Sequence, residues 1–170
     1  TNSDLKNAVT TWAKDADNLI IYITDHGGDG NFRMSETEIL KAIELKEWMD
    51  QLQSEREVKI VLVYDACQSG SFLPALSSTE GYHRILISSA KADQSAYFTS
   101  TGTLSFSFFF WGNIFNGMNI GDAFFSARNS IMFTYSSQTP MLDDNGNGIG
   151  NEDNDGLLAM VTTIGSGVVS

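Results

Sequence analysis

The sequence predicts an α/β fold, a three-layer α/β/α domain with a mostly parallel sheet. Strand-like and helix-like patterns alternate throughout the chain. The strand-like run at 18–24, Asn-Leu-Ile-Ile-Tyr-Ile-Thr, is continuously apolar and β-branched, as in a strand covered on both faces. The first two such runs end near residues 24 and 64, which leaves room for one crossover helix between them. With 170 residues, 42% apolar and 11% aromatic, the chain is long enough for one domain over 1–170 with a real hydrophobic core.

Leu5, Val9, Trp12 and Ala16 form the stripe of a first amphipathic helix, which Ser3 or Asp4 would cap. The first strand follows at 18–24, and the glycine-rich stretch 25–32 reads as an irregular loop at its C-terminal end. Ser35-x-x-Glu38 fits a capping box, while 38–43 fits an extended connection equally well. Leu45, Trp48, Met49 and Leu52 mark the next helix. Strands are expected at 58–64 and 84–89, then a polar loop over 90–103 with a short strand around 95–98. Phe106, Phe108, Phe109, Phe110, Trp111, Ile114 and Phe115 make a helix apolar nearly all round, ended by Gly117. A further helix at 122–135 would turn Ala123, Phe124, Ala127, Ile131 and Phe133 inward, and the apolar run 157–164 reads as a last strand after an acidic loop.

The formal charge of -11, from 21 acidic and 10 basic residues, argues against nucleic acid or an anionic membrane as partner, because phosphate binding needs clustered Lys and Arg. No stretch approaches the apolar length of a membrane helix, and the first residues lack the basic start and apolar core of a signal. Cys67 is the single cysteine, so an internal disulfide and a cysteine zinc site are both excluded. Free cysteine and abundant acid fit a secreted, periplasmic or cell-surface setting, with the cytoplasm still open.

The chemistry concentrates at two strand ends. Tyr22-Ile23-Thr24-Asp25-His26-Gly27-Gly28 and Val61-Leu62-Val63-Tyr64-Asp65-Ala66-Cys67-Gln68-Ser69-Gly70-Ser71 each run from an apolar strand to a reactive side chain and then glycine. In a doubly wound sheet such ends face one crevice, and a thiol beside an imidazole is the equipment of nucleophilic catalysis. Gly27, Gly28 and Gly70 fall where backbone N–H groups would approach a substrate, and Ala66 and Ser69 leave space around the thiol. Taken singly, His26 is an ordinary loop histidine and Cys67 a small buried hydrophobe; the pairing is what points to chemistry. His83, with no nucleophile or glycine beside it, reads as a surface or packing residue, and Asp25 as a local hydrogen-bonding group of its loop.

Thr-Asp-His-Gly-Gly and Tyr-Asp-Ala-Cys-Gln-Ser-Gly-Ser-Phe, each after a strand, resemble the paired motifs of the legumain/caspase clan of cysteine peptidases, in wording most like legumain-type enzymes and their bacterial relatives. The likeness runs from about residue 18 to 98. It implies a caspase-like domain and an endopeptidase acting on peptide or protein substrates without a cofactor in the chemistry. By that resemblance His26 is general acid/base, Cys67 the nucleophile, and the N–H groups of Gly27 and Cys67 hold the oxyanion. Asp65, two residues before Cys67, points to the thiol's side by the strand's period of two. In the family an acid there floors the pocket for the residue before the cleaved bond, and Ser95-Ala96-Tyr97 resembles the stretch that pairs with substrate backbone. The family's first strand, and the arginine of its asparagine-specific members, would lie upstream of Thr1. Asn and Arg/Lys preferences both stand, with Asp65 tipping toward basic residues, and activation by an upstream pro-segment or partner chain is a further expectation.

Asp143, Asn145, Asn147 and Ile149 follow the opening of a calcium loop, with Asn154 where a bidentate Glu belongs and Asp153 or Asp155 as substitutes. Two readings stand: a structural calcium ion, or a solvated acidic turn. For the whole chain, a cysteine endopeptidase is the first expectation, and a non-catalytic, calcium-stabilised binding or adhesion module on the same scaffold is the second.

Overall fold

Residues 1–78, 81–99 and 104–165 are described by the structure, a computed structural model. Helix α1 (Asn2–Thr10) is capped by Thr1, whose Oγ1 accepts the Asp4 N–H at 3.2 Å, so the cap lies two or three residues before the expected one. The helix also stops early. A 3-10 turn at Trp12–Asp15 breaks the predicted stripe, burying Ala13 in place of Trp12, which is 73% exposed.

Strand β1 (Asn18–Thr24) has its predicted bounds but only one covered face: Ile21 and Ile23 are buried, while Ile20 and Tyr22 are exposed. The loop expected at 25–32 instead begins a small antiparallel sheet, β2 (Gly27–Gly28), β3 (Asn31–Arg33) and β4 (Ile39–Lys41). The extended reading of 38–43 is therefore the right one. Ser35 does take the N–H groups of Thr37 and Glu38, but it closes the β3–β4 turn and starts no helix. Helix α2 (Ala42–Glu55) starts directly after β4, where the Glu44 carboxylate accepts the Lys41 N–H at 3.0 Å.

Strand β5 (Lys59–Asp65), a 3-10 turn at Ser69–Ser71, α3 (Phe72–Leu76) and β6 (Arg84–Ser88) follow. Then come α4 (Phe106–Phe115), α5 (Ile120–Thr134), β7 (Met141–Asp143) and α6 (Leu157–Met160). The expected strand around 95–98 does not form, and residues 100–103 of that loop lie outside the described residues. Phe133 points outward, 94% exposed. The run 157–164 is helical at its start, and the last strand lies earlier, at the opening of the acidic loop.

The main sheet has the order β1-β5-β6-β7, with β1, β5 and β6 parallel and β7 antiparallel to β6. The period of two along β5 sends Ile60, Leu62 and Tyr64 into one core with α1, α2 and α3, and Val61 and Val63 into a second core with α4, α5 and α6. This is the expected three-layer α/β/α arrangement. Both faces of β5 and β6 are covered as their continuous apolar runs require; among the described residues β1 is an edge strand, and the second helix layer leaves Ile20 and Tyr22 open.

One polar group is built into the first core. Arg84, 1% exposed, gives Nη1 to the Leu76 carbonyl at 2.9 Å, Nε to Gln53 Oε1 at 2.8 Å and Nη2 to Asp50. Gln53 in turn gives Nε2 to the Val58 carbonyl at 2.7 Å, so α2, α3, β5 and β6 are tied at the end of the sheet remote from His26.

Candidate active site

The sheet register delivers the site. Thr24 pairs with Asp65 in the last step of the β1–β5 ladder, and His26 and Cys67 stand two residues beyond their own strand's last paired residue. Both side chains line one open cleft of about 360 Å³ with Thr24, Asp25, Ala96 and Phe98. Cys67 is half-buried, with Sγ 3.8 Å from the Ala96 carbonyl. The His26 side chain is 77% exposed, and its Nε2 is 3.9 Å from Asp25 Oδ1, too far for a hydrogen bond. Asp25 instead accepts the His26 backbone N–H at 2.6 Å, the local role read for it in the sequence.

Gly27 must be glycine for a steric reason. A Cβ there would lie 2.3 Å from the Cys67 carbonyl oxygen, 2.6 Å from the Tyr64 hydroxyl and 2.9 Å from Ala66 Cβ. The backbone of the His26 arm thus packs directly on the backbone of the nucleophile. In the β2–β3 ladder the Arg33 N–H donates to the His26 carbonyl at 2.9 Å, so the alternation of antiparallel pairs makes Gly27 and Phe32 a non-hydrogen-bonded pair. The Gly27 N–H accordingly points away from β3.

Gly70 has a different reason from the one its motif gave. A Cβ on it would meet the Ala90 carbonyl oxygen at 2.7 Å and the Ala92 nitrogen at 2.8 Å, so it lets the Cys67 loop pack on the chain leaving β6. Ser69 joins the same contact, buried, accepting the Ala90 N–H at 3.2 Å.

Asp65 lies below the cleft, not on its lining, with 1% of its surface exposed. Its Oδ2 accepts the N–H of Ser107 at 3.0 Å and the Ser107 hydroxyl, at the first turn of α4. Burial pushes the carboxyl above the ordinary aspartate value, against the lowering pull of Ser107. The nearby Ser89 hydroxyl pulls the same way without reaching hydrogen-bond geometry, so Asp65 Oδ1 and Ser89 Oγ stay buried and unpaired. Tyr64, beneath Gly27, is pushed up by burial and by the neighbouring Cys67, and its hydroxyl donates to the Asn31 carbonyl at 3.0 Å.

Ser95 and Tyr97 were expected to meet substrate, yet the side chains that reach the cleft belong to their neighbours Ala96 and Phe98. Tyr97 spends its N–H on Gln138 Oε1 at 2.9 Å and stacks its ring on Tyr135. Ser95 is exposed, and its backbone makes no hydrogen bond among the described residues.

The acidic loop closes on itself. Asp143 accepts the N–H groups of Gly146 at 3.0 Å and Gly148 at 2.8 Å, while Asn145 and Asn147 accept those of Asn147 and Ile149. Asp155 accepts the Glu152 N–H at 2.8 Å, and Asp153 is exposed. Burial raises the Asp143 and Asp155 carboxyls despite those bonds. Among the described residues no three His, Cys, Asp or Glu side chains gather as an ion site needs. The side-chain oxygens of Asp143, Asn145, Asn147 and Asp155 all accept N–H groups of the loop itself.

A mostly parallel sheet with helices on both faces makes a caspase-like fold, and it carries His26 and Cys67 beyond the ends of adjacent strands. The model of the Peptidase C13 family matches residues 5–131, and the chain belongs to that family. The chain is 31% identical over 81 residues to the GPI-anchor transamidase of Schizosaccharomyces pombe, covering 47% of this chain and 20% of that protein. It is 34% identical over 58 residues to the Homo sapiens GPI-anchor transamidase, covering 34% and 15%. The chain therefore spans a fifth or less of the length of these relatives. Among solved structures, caspase-1 from Spodoptera frugiperda superposes with a TM-score of 0.63 at 13% identity, over 85% of this chain and 66% of that one. No helix among the described residues is long and apolar enough to cross a membrane.

Proposed function

We propose that the chain is a cysteine endopeptidase in which His26 and Cys67 do the chemistry. The observation that carries this is the Thr24–Asp65 register, which brings both residues into one solvent-open cleft. His26 takes the Cys67 thiol proton as Sγ attacks the peptide carbonyl carbon, and the resulting oxyanion accepts the N–H groups of Gly27 and Cys67. The intermediate collapses as His26 gives the proton to the leaving amine, leaving a thioester on Cys67. Water, deprotonated by His26, then releases the acid and restores the thiol. The freedom of the Gly27 N–H from the β2–β3 ladder supports its place in this scheme.

Substrate would lie extended along Ser95, whose backbone makes no hydrogen bond among the described residues, with side chains passing Ala96 and Phe98. From beneath the cleft floor Asp65, when ionised, would favour a basic or amide side chain through its charge, with Ser107 holding one carboxylate oxygen and Ser89 beside the other. An amine can resolve the thioester in place of water, and the transamidase named among the relatives supports that second outcome.

The test is a fluorogenic peptide panel with Asn, Asp, Arg or Lys before the scissile bond, with and without calcium, and with an added amine nucleophile. Turnover abolished by Cys67→Ser and by His26→Ala is expected. A thiol that iodoacetamide labels no faster than free cysteine, indifferent to His26→Ala, would sink the enzyme reading in favour of a binding module.

A further inference from the structure

We propose that Ser71 is the positioning residue that sets the His26 arm against the Cys67 arm; this rests on the cysteine-peptidase reading above. The β1–β5 ladder ends at Thr24 and Asp65, so the sheet itself does not hold the two reactive residues at a fixed separation. Ser71 crosses the gap. Its Oγ accepts the Gly30 N–H at 2.9 Å from the tip of the β2–β3 hairpin. The same hydroxyl donates to the Gln68 carbonyl at 2.6 Å, immediately after the nucleophile, with the Gly28 carbonyl at 3.4 Å.

Gln68 makes that second bond consequential. It is left-handed, at φ 57° and ψ 20°, a conformation that a non-glycine residue keeps only where its surroundings enforce it. The Ser71 N–H and hydroxyl both hold the Gln68 carbonyl, and the Gln68 N–H is fixed by the Gln94 carbonyl at 2.8 Å. Ser71 therefore holds the turn that aims Cys67 and the hairpin that carries His26 with one side chain. It does not line the His26–Cys67 cleft, so it acts through these neighbours and not on substrate.

Ser71→Ala removes the hydroxyl but keeps the backbone bond from residue 71 to Gln68. It is expected to lower kcat, and the rate of inactivation by a peptidyl acyloxymethyl ketone, about tenfold, as the loss of one internal hydrogen bond does. KM is expected to stay within about twofold, since the cleft lining is untouched. Ser71→Thr, which restores the hydroxyl, is expected to recover most of the rate. Iodoacetamide labelling of wild type and His26→Ala across pH runs in parallel. Fast, His26-dependent labelling of wild type with an unimpaired Ser71→Ala overturns the positioning role alone. Ser71→Ala and Ser71→Thr equally slow, with KM raised alongside, also overturns it, because the hydroxyl is then not the operative group. Wild-type labelling at the rate of free cysteine means that the peptidase reading itself has failed and takes this role with it.

Discussion

Gly27→Ala tests the contact on which the site is built. The added methyl would stand 2.3 Å from the Cys67 carbonyl oxygen, where ordinary contact begins at 3.4 Å, and 2.6 Å from a buried tyrosine hydroxyl. The nearest obstacle is backbone, and Tyr64 is wedged between Phe32 and Phe72 at ring separations of 5.6 and 4.5 Å, so no flexible side-chain end gives way. The hairpin carrying His26 must retreat from Cys67 by about 1 Å, a misplacement that costs on the order of a hundredfold in rate. Overpacking of this kind costs about 1–3 kcal/mol in stability, or roughly 2–12 °C in Tm for a chain of this length. The assay is kcat and KM on the best panel peptide, with thermal unfolding by circular dichroism on the same samples. A variant that stays folded and turns over within about twofold of wild type would refute the claim that backbone contact between the two arms sets the geometry.

Arg84→Ala should destabilise by about 3 kcal/mol, the low end for breaking a buried ion pair because Asp50 is partly exposed and can rehydrate; urea titration measures it. Burial raises the Asp50 carboxyl, but hydrogen bonds from Lys46 and Arg84 outweigh it and hold the group below the ordinary aspartate value. Its contribution is therefore present above the unfolded-state pKa and lost as pH falls through the lower folded one, so Asp50→Asn should flatten the acid limb of a stability-against-pH curve. Asp65 has the opposite sign: its folded pKa is raised, so its stabilising contribution is complete below the unfolded value and lost as pH rises through the folded value. Asp65→Asn should thus unfold at higher urea than wild type at neutral pH, with the difference closing on acidification, while turnover of any Arg or Lys peptide drops at least about tenfold.

The placement of His26 and Cys67 was legible because two continuous apolar runs end in residues whose chemistry is specific, and parallel strands put such ends on one edge. Their supports were not legible. Ser71 stands inside the quoted motif, yet its function depends on Gly30, 41 positions away, which no local pattern announces. Between β6 and α4 the chain is irregular and has no period to say which side chains face inward, so Ser95 and Tyr97 were read where Ala96 and Phe98 line the cleft. Strands β2, β3, β4 and β7 have two or three residues each, too few for a periodic signal, and exist because a neighbouring strand pairs with them.

The covalent chain alone determined the layer architecture, the strands β1, β5 and β6, and the histidine and thiol at their ends, because side-chain period and residue chemistry are local properties. The tertiary structure alone decided that Ile20 and Tyr22 on β1 are exposed, that Asp65 is buried against the start of α4, and that 157–160 is helical. In that last case the Asp144 carboxylate accepts the N–H groups of Gly156 and Ala159, both at 2.8 Å, and so caps α6. A cap supplied from twelve residues away outweighs a β-like apolar run, since free backbone donors at a helix start take the nearest available anion whatever its place in the sequence.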